Sequence, residues 1–171
     1  MKVKTMIYKL FNYQYFKLLT VFCLLFAALP ALAKPQQKTN SDYVNSLLSE
    51  AQRIRKEYGI PLDLTIAIAR QESGNGEYII GKGNHFGLRC ASDDCITLEK
   101  NGKQIEYETC PDVSECFNIF AESINALTED GPITLTRIYE NGYATSPRWV
   151  DKVKTIRKEV RQTLTEAGIE Y

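Results

Sequence analysis

The sequence predicts a mainly helical α+β domain, in which a helical body carries one small β-hairpin lobe. Within residues 60–76, almost every position from Leu62 to Ala69 is apolar, which is typical of a helix that is buried on nearly all sides. Residues 95–108 alternate between apolar and polar side chains around Asn101-Gly102, a sequence favoured in type I′ hairpin turns. The cysteines beyond the first forty residues lie within and around that hairpin. They indicate a cross-linked lobe, and the apolar stretch indicates the centre of the core.

The first 33 residues have the pattern of a secretory signal peptide. Lysines precede an apolar run at residues 18–29, and Ala31-Leu32-Ala33 forms an A-x-A cleavage site. The run is short for a membrane span and Pro30 follows it, so an uncleaved anchor is the less favoured alternative. We expect export to a periplasm or beyond and no stable membrane association after cleavage. The tether is expected at residues 34–40 and the folded domain at residues 41–171.

The charge balance of the expected mature chain differs from that of a nucleic-acid-binding protein. Cleavage removes four of the 21 basic residues and none of the 21 acidic ones, which leaves 17 against 21, or about −4. About 138 residues remain, enough for one domain with its own core. We therefore expect a monomeric, single-domain protein that does not bind nucleic acid.

Two helices are predicted before the hairpin. Ser41 can cap the first helix, and Gly59 ends it. The residues that recur at helical spacing in this first helix are Val44, Leu47, Leu48, Ala51, Ile54 and Tyr58. Pro61 suits the first turn of the second helix, and Gly74 or Gly76 can adopt the left-handed conformation that stops it. The first helix is expected to pack against the second.

Glu72 falls in the last turn of the second helix and continues an apolar row. Leu64, Ile68 and Glu72 are spaced four residues apart, so the carboxylate enters apolar surroundings near the negative end of the helix dipole. Both effects raise the pKa of a carboxyl group and keep it protonated near neutral pH. Glu72 is therefore a candidate general acid, and a surface glutamate at a helix end is the alternative.

The hairpin register follows from the position of its turn. The predicted cross-strand pairs are Leu98 with Ile105, Ile96 with Tyr107, Glu99 with Gln104, and Thr97 with Glu106. One face of the hairpin is therefore apolar, and the other carries carboxylates. The segment before the hairpin is a glycine-rich loop, which contains Lys82 and continues through residues 83–90.

The four cysteines of the mature chain predict two disulfides. An even number in an exported chain indicates disulfides rather than zinc, since the spacing is irregular and His85 is the only histidine. No metal and no cofactor are expected. Three pairings are possible. Because two cysteines bracket the hairpin base, the preferred pairing is nested, Cys95 with Cys110 and Cys90 with Cys116.

The remainder of the chain is predicted to be mostly helical. Residues 112–115 have the form of a capping box, whereas residues 116–120 resemble a strand; we favour a strand through Phe120 and a helix at residues 122–129. A short helix follows at residues 133–139. Ser146-Pro147 opens a last helix that ends at Gly168. Its inner row is Trp149, Val153, Ile156, Val160 and Leu164.

Three motifs resemble the bacterial β-N-acetylglucosaminidases of glycoside hydrolase family 73, which include flagellar peptidoglycan hydrolases. They are AIARQESG at residues 67–74, GNHFGLRC at residues 83–90 and GYATSP at residues 142–147, in the family's order. The first motif alone is weak because lytic transglycosylases share it. The resemblance implies a lysozyme-like fold. It also implies cleavage of peptidoglycan glycan strands between N-acetylglucosamine and N-acetylmuramic acid.

The resemblance also implies roles for individual residues. Glu72 matches the catalytic acid, which protonates the leaving glycosidic oxygen. Tyr143 matches a tyrosine that positions the sugar N-acetyl group or a water, with simple aromatic packing as the alternative. His85 and Phe86 match a loop that walls the sugar cleft, and Asn84 and Ser73 are grouped with them as substrate-binding residues. For His85, a hydrogen-bonded loop residue is the alternative.

A second carboxylate is expected from the β-lobe, where family members place a base or nucleophile. Glu106 and Glu99 are equal candidates, and Glu108 or substrate-assisted catalysis by the N-acetyl group are further alternatives. All three glutamates are also compatible with solvated strand charges.

Three other functions compete with the peptidoglycan hydrolase hypothesis. A lytic transglycosylase would use Glu72 as both acid and base. A catalytically silent wall-binding module would keep the cleft alone. An exported toxin directed at another cell's wall would use the same chemistry.

Overall fold

The computed structural model describes residues 40–100 and 102–171, which hold five helices and one antiparallel hairpin. In chain order these are α1 (Asn40–Tyr58), α2 (Leu62–Ser73), β1 (Cys95–Lys100), β2 (Lys103–Glu108), α3 (Val113–Leu127), α4 (Leu135–Glu140) and α5 (Trp149–Glu166). The predicted mainly helical α+β class with a small hairpin lobe is confirmed. The predicted signal peptide and all of the tether except Asn40 lie outside the described residues. No helix within the described ranges is long and apolar enough to cross a membrane.

Helix α2 is the centre of the core, as its apolar sequence predicts. Every residue from Leu62 to Arg70 is buried, so the helix is enclosed on nearly all sides. Pro61 precedes its first turn, and Gly74 ends it in the left-handed conformation (φ 59°), with its N–H bonded to the Arg70 carbonyl. Glycine adopts this conformation without steric cost, which fixes where the helix stops.

Helices α1 and α5 pack on either side of α2. The buried residues of α1 are Tyr43, Val44, Leu47, Ala51 and Ile54. Those of α5 are Trp149, Val153, Val160 and Leu164, which confirms most of the predicted inner row, while Ile156 is half-buried. Helix α3 packs on α1, and α4 packs on α3 and α5. The result is a helical body with α2 at its centre.

Two ion-pair groups connect α2 to α5. Asp63 has 1% of its surface exposed and accepts hydrogen bonds from Arg157 (2.6 and 3.0 Å) and Arg161. Arg70 donates to Glu159 at 3.0 Å. Burial raises the pKa of Asp63, but the hydrogen bonds and charges of the two arginines outweigh it and lower that pKa overall. These charged contacts were not predicted from the sequence.

The hairpin has the predicted register. Leu98 pairs with Ile105, Ile96 with Tyr107, Glu99 with Gln104, and Thr97 with Glu106. Gly102 is left-handed (φ 73°), as a type I′ turn requires, while Asn101 lies outside the described residues. We define residues 89–110 as the β-lobe, which contains both strands and three of the four paired cysteines.

The predicted nested disulfide pairing is wrong. The disulfides join neighbours, Cys90 to Cys95 and Cys110 to Cys116. The register explains the error, because the residue opposite Cys95 is Glu108 rather than Cys110. Cys110 lies two residues beyond the paired strand and is left-handed (φ 45°), where it meets Cys116 on the first turn of α3. One disulfide thus closes the turn before β1, and the other ties the lobe to the helical body.

The predicted strand at residues 116–120 is also wrong, because this segment belongs to α3. Asp112 caps the helix by accepting from the Glu115 N–H at 2.9 Å, so the capping signal in the sequence was the correct one. The apolar residues Phe117 and Phe120 are buried on the inner side of the helix. They lie three residues apart, which fits one helical face as well as a short strand.

Candidate active site

Glu72 lies in the last turn of α2 and is held by a residue from the last helix. Its side chain is half-buried, and Oε1 accepts a hydrogen bond of 2.6 Å from the indole Nε1 of Trp149. Oε2 lies on the side of Gly87, and a Cβ atom added to that glycine would be 4.0 Å from this oxygen. One carboxylate oxygen is therefore fixed by the protein, and the other borders a backbone segment that carries no side chain.

The surroundings of Glu72 favour its protonated form. Burial raises the pKa of this carboxyl above its ordinary value. The Trp149 hydrogen bond and the positive charges of Lys100 and Lys152 oppose that rise without cancelling it. The predicted raised pKa of Glu72 thus has burial as its main cause, and the group is suited to general acid catalysis.

Tyr143 lies in the same aromatic wall as Trp149. The two rings are 5.3 Å apart, and Phe120 meets Tyr143 edge-on at 6.3 Å. Burial and the nearby Glu72 charge raise the pKa of Tyr143 well above its usual range, so its hydroxyl stays protonated. That hydroxyl is 3.5 Å from the Phe86 carbonyl, at the outer limit of a hydrogen bond. Tyr143 therefore combines aromatic packing with a weakly engaged donor close to the acid.

Ser73 and His85 are joined behind Glu72 by a buried tyrosine of α1. The Tyr43 hydroxyl is 2.8 Å from Ser73 Oγ and 2.8 Å from His85 Nδ1. Ser73 also donates to the Ala69 carbonyl and accepts from the Gly76 N–H. Burial raises the pKa of Tyr43 to about 12, so its hydroxyl keeps its proton in this network. These contacts connect the end of α2 with the loop that follows it.

Asn84 and Phe86 shape that loop from within. The Asn84 side chain donates to the carbonyls of Leu88 and Glu108 and accepts from the N–H groups of Phe86 and Leu88. The Phe86 ring is stacked on Phe120 at 3.9 Å. Ser73, Asn84, His85 and Phe86 are all buried, so the structure places them behind the site surface. Their predicted contact with substrate stays a prediction.

The three lobe glutamates differ in their surroundings. Glu99 and Glu106 are exposed and share the carboxylate face of the hairpin. Lys100, which acts on the Glu72 pKa, lies on the opposite face with Leu98. Glu108 is buried and accepts hydrogen bonds from the Ala91 N–H and the Ser92 hydroxyl, which lower its pKa. Glu108 therefore stabilises the turn closed by Cys90 and Cys95.

Several residues near Glu72 were not predicted as site residues. Trp149 was assigned to the inner row of the last helix; its position two residues after the GYATSP motif and its being the only tryptophan were usable signals. Tyr43 precedes the predicted inner residue Val44 and carried no comparable signal. Lys100 and Lys152 reach the site only through the tertiary fold. No three His, Cys, Asp or Glu side chains in the described ranges are grouped to hold a metal ion.

A comparison with protein-family models identifies the family of this chain. Residues 48–162 match the glucosaminidase family, described as mannosyl-glycoprotein endo-beta-N-acetylglucosaminidase. A comparison with curated proteins found no match.

Solved structures share the fold at low identity. A peptidoglycan hydrolase from Sphingomonas sp. A1 has a TM-score of 0.64 at 17% identity, covering 77% of this chain and 97% of that one. The glycoside hydrolase domain of Salmonella typhimurium FlgJ has a TM-score of 0.63 at 17% identity, with 76% and 93% covered. The catalytic domain of the Listeria monocytogenes autolysin Auto has a TM-score of 0.59 at 19% identity, with 77% and 90% covered.

Proposed function

Because this chain belongs to the glucosaminidase family of glycosidases, we propose that it is an exported peptidoglycan hydrolase. The bond cleaved is the β-1,4 bond between N-acetylglucosamine and N-acetylmuramic acid, and Glu72 is the acid. The observation that carries this proposal is a half-buried carboxyl with a raised pKa whose Oε1 is held by Trp149. The similar Sphingomonas and Listeria proteins, a peptidoglycan hydrolase and an autolysin, support the choice of substrate.

In the first step, Glu72 transfers its proton to the glycosidic oxygen as the bond to the sugar C1 breaks. Because Oε1 accepts the Trp149 N–H, the proton is carried by Oε2, on the open side next to Gly87. The carboxylate left behind is stabilised by the indole hydrogen bond and by the Lys100 and Lys152 charges. Positive charge then develops on the ring oxygen and C1 of the sugar that is cut.

In the second step, water attacks C1. This step needs a group that stabilises the positively charged sugar or removes a proton from the water. The N-acetyl group of the substrate and the exposed carboxylates Glu99 and Glu106 are the candidates, since Glu108 is committed to the Ala91–Ser92 turn. The Tyr143 hydroxyl, a protonated and weakly engaged donor, is placed to orient the N-acetyl group or the water. These roles are part of the proposal.

Two features support export. The chain forms two disulfides, which persist in oxidising compartments. The predicted signal peptide at residues 1–33 agrees with that. We propose that the mature protein acts as a monomer in the periplasm or outside the cell.

Digestion of purified sacculi followed by mass spectrometry of the products tests the reaction. Reducing N-acetylglucosamine ends are expected, formed with uptake of one water per bond. Anhydro-muramic ends would instead identify a lytic transglycosylase, and intact glycan strands despite sacculus binding would identify a catalytically silent wall-binding module. Either of these results overturns the proposed hydrolysis.

A further inference from the structure

One face of α5 carries a continuous stripe of positive charge, which begins five residues beyond Trp149. Lys154, Arg157, Lys158 and Arg161 are spaced i, i+3, i+4 and i+7, which places them on the same side of the helix. They line a groove of about 370 Å³ together with residues 133–136 at the start of α4. Like charges four residues apart destabilise a helix, so this arrangement carries a cost that a mixed-charge face would avoid.

The domain as a whole has the opposite charge. Residues 1–39 hold six of the chain's 21 basic residues and none of its 21 acidic ones, so residues 40–171 hold 15 basic and 21 acidic residues. Four of those 15 cations line this single groove. An anionic polymer is therefore repelled by the domain overall and attracted at this place.

The groove is neutralised only in part by the protein itself. Asp63 engages Nε and Nη2 of Arg157 and Nε of Arg161. Within the part of the chain that the structure describes, no hydrogen bond uses Nη1 of Arg157, either Nη of Arg161, or the ammonium groups of Lys154 and Lys158. The buried Asp63 thus orients two guanidinium groups and leaves donors on them for an external anion.

We propose that this groove binds the carboxylates of the peptide stems that project from a peptidoglycan strand. This inference rests on the proposed function, since it adds a second contact with the same substrate. Lys154 and Arg161 lie five and twelve residues beyond Trp149, or about 8 and 18 Å along α5. An extended peptide spans that distance in roughly three to five residues. A stem on a strand held at Glu72 is therefore long enough to cover this distance along the helix.

The test measures sacculus binding by pelleting, in a Glu72→Gln background that removes cleavage. The double variant Lys154→Gln/Lys158→Gln leaves the Asp63 contacts intact, and Lys56→Gln/Lys82→Gln is a matched control that removes two exposed lysines elsewhere. We expect the groove variant to bind intact sacculi about three- to tenfold more weakly, as two or more exposed ion pairs allow. The control variant is expected to bind unchanged.

Three comparisons complete the experiment. Sacculi whose stem carboxylates have been amidated should bind the groove variant and the parent equally, and a persistent difference overturns the proposal. Equal binding of all variants to intact sacculi overturns it as well. A loss confined to phosphatidylglycerol vesicles identifies a membrane partner instead and also overturns it.

The proposed function is tested separately from the groove. Stem-free glycan strands are digested by the protein that retains Glu72, with and without the two groove substitutions. Equal turnover is expected, because neither lysine contacts the site. If neither protein digests the strands, the proposed function is wrong, whatever the pelleting shows. If the groove substitutions reduce turnover of stem-free strands, the groove does not act independently of the site at Glu72.

Discussion

In the helical body, α2 is buried along most of its length. In the β-lobe, by contrast, only one residue of β1 and three residues of β2 are buried or half-buried. The body is stabilised by apolar burial and by the Asp63 ion pairs. The lobe has little apolar area to bury, and covalent bonds and the Glu108 contacts hold it. The comparison teaches that Glu72 lies in the well-buried part of the molecule, whereas Lys100, which acts on its pKa, lies in the weakly buried part.

The largest expected effect contrasts carboxylates of the two regions. Glu72→Gln removes the transferable proton and should lower turnover by about 10²- to 10⁴-fold, the usual contribution of a general acid. Glu99→Gln and Glu106→Gln in the lobe are the matched controls, and substrate-assisted catalysis predicts that both remain active. Release of reducing ends from sacculi measures all three. A lobe variant as inactive as Glu72→Gln would instead identify the second catalytic carboxylate.

The next effect concerns the stability of the body. Asp63→Asn removes a buried carboxylate that accepts from two arginines and should lower the free energy of unfolding by about 2–3 kcal/mol, measured by urea denaturation. Glu159→Gln is the control, because Glu159 is half exposed and its pair with Arg70 should contribute no more than about 1 kcal/mol.

The same carboxyl sets a pH dependence. The folded pKa of Asp63 is lowered, so its stabilising contribution is present above the unfolded value and is lost as pH falls through the folded pKa. The Asp63→Asn protein should therefore lose less stability on acidification than the parent. Parallel acid unfolding curves for the two proteins would contradict the assignment of this charge to the core of the body.

Disulfide removal should act on the lobe more than on the body. Each bond closes a short loop, with sequence separations of 5 and 6, and should contribute about 2 kcal/mol. Paired Cys→Ser variants examined by amide hydrogen exchange should show faster exchange in residues 89–110 and little change in α2. The Cys110→Ser/Cys116→Ser pair should have the wider effect, since that bond reaches α3. Equal loosening of both regions would show that the two are one cooperative unit.

The smallest effect is a shift in the pH dependence of turnover. The proposed mechanism needs protonated Glu72, so the rate should fall as pH rises through its raised pKa. Lys100 from the lobe and Lys152 from the body both lower that pKa, so Lys100→Gln and Lys152→Gln should each move the falling limb to higher pH. Lys158→Gln, in the α5 groove, is the control and should leave it in place. A shift for Lys152→Gln alone would show that the hairpin tip lies away from Glu72 in solution.

Sequence periodicity predicted the elements whose signals are local. The apolar stretch around α2 and the register set by the hairpin turn were correct, and the helix ends at Gly74, one of the two glycines proposed. The strand proposed at residues 116–120 was wrong because two buried phenylalanines fit a helical face as well, and the cap at Asp112 decides between them. The disulfide pairing was wrong because it depends on the left-handed backbone at Cys110, which no sequence pattern signals.

The candidate site was predicted only in part, for a similar reason. Glu72 was identified by its spacing from Leu64 and Ile68, a property of one helix. Its partner Trp149 is 77 positions away, and Lys100 and Lys152 act on it from separate elements. Contacts of this kind depend on how α5 and the hairpin are placed against α2, which the pattern of a single segment does not contain.

The hydrogen bond between Glu72 and Trp149 also has a consequence for the timing of activation. Glu72 precedes its indole partner by most of the domain, so a protein folded only through α4 has the carboxyl without the hydrogen bond that fixes Oε1. In the proposed mechanism, the acid is therefore complete only when the last helix has docked.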